Sequence, residues 1–163
     1  MKKTAVFPGS FDPFTIGHES IVRRALVLFD EIIIAIGINT NKDDFFDLAD
    51  RIDWIKELFA DEPKIKVDHY EGLTIDYCKR KNAHFVLRGL RTSSDFEYER
   101  AIAQMNKAMY PEIESVFILT DPEYTSVSSS IVRDIIRHGG DAGKFLPDNM
   151  RKVVYEKRRQ ETK

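Results

Sequence analysis

The chain has 163 residues, enough for one domain with a full hydrophobic core, and we expect a single domain over residues 1–163. Its 25 Lys and Arg against 27 Asp and Glu give a net charge of −2, which argues against a nucleic-acid partner. The single cysteine, Cys78, excludes an internal disulfide framework. We find neither a signal-peptide core nor a membrane-length apolar run, so we expect a cytoplasmic protein with no membrane partner.

Five short apolar runs alternate with helical patterns along the chain. The runs predict strands at Thr4–Phe7, Glu31–Gly37, Lys64–His69, His84–Leu87 and Ser115–Leu119. Apolar spacing predicts helices around residues 21–29 and 52–59, and further helices are predicted at 74–81, 94–109, 128–137 and 147–157. Ser94 and Glu97 are spaced as a capping box, and Pro147 suits a first helical turn. The alternation predicts an α/β fold, a Rossmann-like doubly wound five-stranded parallel sheet with helices on both faces.

The chemically unusual residues lie in the segments that follow the predicted strands. In such a sheet, ligands bind beyond the carboxyl ends of the strands, where the strand order reverses. We therefore predict that five segments converge on one crevice: Phe7–His18, Lys42, Leu73–Thr74, Arg88–Arg91 and Tyr124–Ser130.

The first of these segments ends in Thr-x-Gly-His at the start of a helix. Its glycines and prolines allow a phosphate to approach the backbone, and the helix N-terminus offers N–H groups and a favourable dipole. His18 is placed to reach the same anion. The alternative is a chance match with a histidine cap, but the position after the first strand and the neighbours Pro8, Gly9 and Asp12 favour a phosphate site.

Three other segments add cations and hydroxyls. Arg88 and Arg91 flank Gly89 and suit phosphate oxygens, although Asp95 and Glu99 could instead engage them in plain salt bridges. The run Ser128–Ser130 opens a helix, so its hydroxyls could cap the helix or meet a triphosphate. Lys42 lies in a polar loop, where a solvated lysine is the alternative to a phosphate contact.

Other motifs in the sequence carry no predicted chemistry. The segment Gly139–Lys144 has the wrong spacing for a P-loop, and we interpret it as a loop that ends a helix. Cys78 and the histidines other than His18 lack partners at metal-ligand spacing, so we interpret them as structural. The sequence does not identify which residues, if any, would bind a metal ion.

The motifs together resemble those of a known family. Pro8–His18 matches the Pro-Gly-x-Phe-Asp-Pro-x-Thr-x-Gly-His pattern of the H/T-x-G-H nucleotidyltransferase superfamily. The Arg-Gly-x-Arg of Arg88–Arg91, followed by the Asp-Phe-Glu-Tyr-Glu of Asp95–Glu99, is specific to one family within it. From about Ala5 to Phe145, the chain resembles the bacterial phosphopantetheine adenylyltransferases.

The resemblance implies transfer of AMP from ATP to phosphopantetheine, giving dephospho-coenzyme A and pyrophosphate. It implies catalytic roles for His18, Lys42 and Arg91, and acceptor binding by Ser10, Lys42, Thr74 and Arg88. It implies ATP contacts from Ser10, Phe11, His18, Arg88, Gly89, Leu90, Arg91, Glu99, Tyr124, Thr125, Ser126, Val127, Ser128, Ser129 and Ser130. It also implies Mg²⁺ as cofactor, a homohexamer and feedback inhibition by coenzyme A.

Three residues depart from the family pattern. Ser10 stands where threonine is frequent, and Thr74 replaces the larger apolar residues of some relatives. Asp44 stands where a proline is common, so we expect a looser loop around Lys42.

The implied reaction needs no general base, because the attacking phosphate is already ionised near neutral pH. Catalysis then consists of aligning two anions and stabilising charge on the transferring group. Two alternatives remain open. One is a superfamily transferase whose acceptor is nicotinamide mononucleotide or glycerol phosphate, and the other is a non-catalytic nucleotide sensor on the same fold.

Overall fold

The computed structural model describes the backbone of residues 1–161 and the side chains of residues 1–157. The strands are β1 (Thr4–Gly9), β2 (Glu31–Ile38), β3 (Ile65–Glu71), β4 (Phe85–Leu90) and β5 (Glu114–Leu119). The α-helices are α1 (Ile16–Ala25), α2 (Leu48–Leu58), α3 (Thr74–Arg80), α4 (Ser93–Met109), α5 (Ser129–Arg137) and α6 (Met150–Glu161). Short 3₁₀ turns lie at Pro122–Tyr124 and Gly143–Phe145. Along the described part of the chain, no helix is both long and apolar enough to cross a membrane.

The five strands form one parallel sheet in the order β3-β2-β1-β4-β5, which confirms the predicted fold class. Alternate side chains of β2 enter different apolar clusters. Ile32, Ile34 and Ile36 pack with residues of α1, α2, α5 and α6. Ile33 and Ala35 pack with residues of α3. Because both faces of the sheet are covered, a continuous run of apolar residues is the expected pattern for this strand.

The central strands β1 and β4 separate towards their carboxyl ends. Their ladder joins only Ala5 to Phe85 and Val6 to Val86, whereas β1 pairs with β2 along all six of its residues. Pro8 follows the last ladder pair and has no N–H to donate. The strand order reverses between these two strands, so the separation opens the sheet at the point where ligands bind in this class of fold.

Several element boundaries differ from the prediction. The cap of α4 is Thr92, whose hydroxyl accepts from Asp95 N, so the predicted Ser94 capping box is wrong. The last helix begins at Met150, because Pro147 lies in a preceding turn whose carbonyl accepts from Met150 N. The segment after α5 is a helix-ending loop as predicted, with Gly139 at a φ of +77°.

Candidate active site

A crevice of about 430 Å³ opens where β1 and β4 separate. Most of the predicted site residues line it. They are Glu99 of α4 and, from four of the five predicted segments, Ser10, Phe11, His18, Lys42, Arg88, Gly89, Arg91, Tyr124, Val127, Ser128, Ser129 and Ser130. Asp95, Thr120 and Arg133 line it as well, although the sequence did not single them out as site residues. Four cationic side chains face two carboxylates there, so the crevice is electropositive and suits an anion.

Four predicted residues lie outside this lining. Thr74 lines a separate cavity of about 230 Å³, which shares Arg88 and Glu99 with the crevice. The Thr74 hydroxyl lies 2.7 Å from that of Tyr70 in the same wall. Leu90 is buried in the fold, and Thr125 and Ser126 follow the 3₁₀ turn without facing the crevice. The fifth predicted segment, Leu73–Thr74, therefore does not converge on the crevice, and Thr74 lines the adjoining cavity instead.

His18 is held in one tautomer by the cap of α1. The Thr15 N–H donates to Nδ1 of His18 over 2.9 Å, and the Thr15 hydroxyl lies 3.1 Å from the same nitrogen. The Thr15 hydroxyl also accepts from His18 N, which completes a capping box with histidine at the third helical position. Since Nδ1 accepts a backbone N–H, the neutral ring carries its proton on Nε2.

The surroundings of His18 keep its imidazole neutral. The rings of Phe7, Phe11 and Phe14 surround it, with Phe11 edge-on at a centroid distance of 5.0 Å. Burial, together with the smaller effect of the nearby guanidinium groups of Arg88 and Arg91, lowers the pKa of His18 to about 3. His18 is therefore a neutral hydrogen-bond donor through Nε2, ready to meet an oxyanion without carrying a charge.

Arg88 bridges the gap between the two central strands. It lies within β4, not after the strand as predicted, because the strand continues to Leu90. Its Nε and Nη2 donate to the two carboxylate oxygens of Glu99 over 2.9 and 2.6 Å, and its Nη1 donates to the Pro8 carbonyl over 2.7 Å. These bonds use three of the five guanidinium N–H groups, so the side chain is rigid and retains donors for a ligand.

Glu99 holds Arg88 in this position. Both of its carboxylate oxygens accept from that guanidinium, and the residue is buried. Arg88 and Arg91 thus form the salt bridges that the sequence offered as an alternative to a phosphate site. Both arginines and their carboxylate partners also line the crevice.

Arg91 is held less firmly. Its Nη1 donates to the Val127 carbonyl over 3.1 Å, and its Nε lies 3.5 Å from the Asp95 carboxylate. The side chain is partly exposed, so it can turn towards an anion in the crevice at small cost.

The serine run at the start of α5 holds the loops together. Ser128 caps the helix by accepting from Ile131 N, and the Ser129 hydroxyl donates to the Pro13 carbonyl over 2.8 Å. Arg133, one turn further, donates to the Asp12 carbonyl. With these hydroxyls engaged, the α5 N-terminus offers an anion its backbone N–H groups and dipole, as α1 does across the crevice.

The loop that carries Lys42 is fastened at its far end. The Asp12 carboxylate accepts from Phe45 N and Phe46 N over 2.7 and 2.9 Å, and Asp44 forms an ion pair with Arg51. The expectation that Asp44 loosens the loop is therefore wrong for residues 44–46, because the carboxylate that replaces proline has found a buried partner. Lys42 itself remains exposed at the mouth of the crevice.

Comparison with known proteins gives consistent relatives. The family model described as cytidylyltransferase-like matches residues 6–135. A phosphopantetheine adenylyltransferase of Flavobacterium johnsoniae is 54% identical over 149 residues, covering 91% of this chain and 97% of the relative. One of Leptospira biflexa is 50% identical over 157 residues, covering 96% and 98%.

Among solved structures, a bifunctional NMN adenylyltransferase/ADP ribose pyrophosphatase from Francisella tularensis has a similar fold. The TM-score is 0.67 at 18% identity, and the match covers 90% of this chain and 45% of that one. At this identity the likeness concerns the fold alone.

Proposed function

The chain belongs to the phosphopantetheine adenylyltransferases, within the cytidylyltransferase-like family, and we propose that the crevice between β1 and β4 is its active site. The enzyme transfers the adenylyl group of ATP to phosphopantetheine, giving dephospho-coenzyme A and pyrophosphate. The observation that supports the assignment of the site is the convergence of His18, Lys42, Arg88 and Arg91 on one electropositive crevice at the switch point of the sheet.

The two substrates divide the space. ATP occupies the side of Arg91 and the segment from Tyr124 to Ser130, where a helix N-terminus meets the triphosphate. Phosphopantetheine places its phosphate near Arg88 and Lys42 and extends its arm into the adjoining cavity beside Thr74. That cavity suits the arm because Ile102, Phe117 and Tyr70 provide apolar walls and Asn106 provides an amide.

The reaction is an in-line displacement at the α-phosphorus of ATP. A phosphate oxygen of phosphopantetheine bonds to this phosphorus while the bond to the bridging oxygen breaks, and pyrophosphate leaves with that oxygen. The Nε2–H of His18 donates to an oxygen of the transferring group. Lys42 and Arg88 offset the repulsion between the two anions, which allows them to be held in line. No side chain has to remove a proton.

Mg²⁺ enters with ATP in this proposal. Within the described residues, no group of three or more His, Cys, Asp or Glu could hold a metal ion. Both carboxylates that line the crevice are paired with arginines. The protein residues therefore do not fit a cage for Mg²⁺, an ion that commonly binds substrate phosphates and retains several waters.

Coenzyme A would act as a feedback inhibitor by occupying both spaces at once. It carries a pantetheine arm and an adenosine joined by phosphates, and the two cavities share Pro8, Gly9, Arg88 and Glu99. Inhibition competitive with phosphopantetheine is the expected pattern.

The homohexamer is proposed to assemble through α4. Only Glu99 of its 17 residues is buried, while Tyr98, Ile102, Met105 and Met109 are exposed at intervals of three or four. Such a stripe is typical of a helix that packs against a partner. Sedimentation equilibrium gives the number of copies, and Met105→Asp should reduce it.

We propose a cytoplasmic location as well, because the one cysteine, Cys78, is a free thiol and suits a reducing compartment. Burial raises its pKa to about 11, so the thiol is an inert apolar group.

Pyrophosphate release tests the reaction and its acceptor. With ATP, we expect release with phosphopantetheine and none with nicotinamide mononucleotide or glycerol phosphate. His18→Ala protein, purified in parallel, controls for contaminating activity. Release with a different acceptor would indicate a neighbouring family, and no release with any acceptor would support the nucleotide sensor.

A further inference from the structure

Arg51 is a buried arginine that links the segments carrying two proposed ligand residues. Its side chain is 2% exposed, although it lies on α2 and outside the crevice lining. Its Nη1 donates to the Ser10 carbonyl over 2.7 Å, and its Nη2 lies 2.5 Å from the Asp44 carboxylate. Ser10 follows β1, and Asp44 follows Lys42 by two residues in the loop after β2.

The guanidinium has few other partners. Its Nε is a buried atom for which the described residues supply no hydrogen-bond partner. A buried charge left without a counter-ion is costly, so the Asp44 carboxylate is required where it lies. Because Arg51 is buried and Asp44 is only half exposed, this ion pair stabilises the fold more than an ion pair between two solvated side chains would.

A second link runs parallel to the first. The buried carboxylate of Asp12 accepts the N–H groups of Phe45 and Phe46, so the residues after Asp44 are held by the β1 loop too. Before Asp44, the loop's hydrogen bonds to described residues are local, from Lys42 N to the Asn39 carbonyl and from Asn41 N to the Asn39 side chain. Lys42 therefore depends on the Asp44 end of the loop for its position.

We propose that Arg51, anchored by Asp44, is a positioning residue that sets the distance between the Lys42 loop and the Ser10 loop. This proposal rests on the proposed function of Lys42 in acceptor binding. Arg51 touches neither substrate; it acts through the two loops that do.

The test compares Asp44→Asn with Asp43→Asn. Asp43 is also exposed and next to Lys42, and it forms no ion pair or hydrogen bond with any described residue, so it controls for the loss of one negative charge. We expect Asp44→Asn to raise the KM for phosphopantetheine about fivefold, with the KM for ATP and the control variant changed less than about twofold.

A double-mutant cycle shows whether the effect passes through Lys42. In a Lys42→Ala background, Asp44→Asn should have no further effect on the KM for phosphopantetheine. Equal effects of Asp44→Asn and Asp43→Asn, or a full effect that persists without Lys42, would overturn the proposal.

Hydrogen exchange in the unliganded protein gives a reading that needs no substrate. The amides of Phe45 and Phe46 should exchange faster in Asp44→Asn than in Asp43→Asn, because the ion pair shares their loop. Unchanged protection would also overturn the proposal. Wild-type turnover tests the proposed function separately. Failure of the proposed function can therefore be distinguished from failure of the positioning role of Arg51.

Discussion

Replacing His18 by Gln should remove a specific acid sensitivity from the fold. Glutamine is a natural third residue of a capping box, so its side-chain oxygen can accept the Thr15 N–H that Nδ1 of His18 accepts now. The variant therefore keeps the cap and loses only the titrating ring, which makes it a matched comparison for stability.

The sign of the effect follows from the two pKa values. The unfolded imidazole takes up a proton below pH 6.5, whereas the folded one remains neutral down to about pH 3. Acid therefore favours the unfolded state, and the loss begins as the pH falls through 6.5 and is complete near pH 3. Between pH 7.5 and 5, the wild type should lose about 2 kcal/mol more than His18→Gln.

Urea unfolding at pH 7.5, 6 and 5 measures this difference, at one protein concentration because assembly of the proposed oligomer would contribute to stability. The other titrating groups are common to both proteins and cancel. A difference that stays constant with pH would mean that His18 titrates normally in the fold. Long-range proton–nitrogen NMR provides a second check, since the free protein should show the Nε2–H tautomer at pH 6.

Substitutions at three positions test the roles within the crevice. His18→Ala should lower turnover by roughly two to three orders of magnitude, because the Nε2–H donor serves the reacting phosphate. ATP affinity, measured by calorimetry, should change far less. A near wild-type rate would remove His18 from the mechanism. Arg91→Ala should cost about 1.5–3 kcal/mol of ATP binding and less of phosphopantetheine binding, and calorimetry with equal losses for the two ligands would contradict the proposed division of the crevice. Lys42→Ala should depress both turnover and acceptor affinity in steady-state kinetics while sparing ATP, with only partial recovery in Lys42→Arg. Normal kinetics together with unchanged hydrogen exchange of residues 39–46 on adding phosphopantetheine would leave Lys42 a solvated side chain.

Local signals account for what the sequence predicted well. Strand β2 was identified by its β-branched run, and α5 by a serine that caps it. The crevice was predicted from the parallel sheet, because the carboxyl ends of parallel strands meet at one edge, and its positive charge was predicted from Lys42, Arg88 and Arg91 in the segments that follow those strands.

The remaining features depend on contacts that sequence spacing does not reveal. Arg51 meets the carbonyl of Ser10 across 41 residues, and Arg133 meets that of Asp12 across 121. Arg133 could have been noticed, since it lies three residues after the serine run, but no local pattern distinguishes it from a solvated helical arginine. The cap of α4 went to Thr92 because the backbone leaves the extended conformation there, and several polar residues nearby were equally plausible.

The bond from Arg88 to the Pro8 carbonyl changes what mutagenesis at that position can measure. Where the ladder ends, this main-chain oxygen takes its donor from a side chain of the neighbouring strand. Truncating Arg88 would orphan a backbone acceptor and strand the Glu99 carboxylate, so the resulting defect would mix damage to the scaffold with loss of a ligand contact. Arg91 holds no such tie between the central strands. Its own partners, the Val127 carbonyl and the Asp95 carboxylate, are held by longer contacts at a partly exposed side chain, so truncating Arg91 gives the cleaner measure of a phosphate contact.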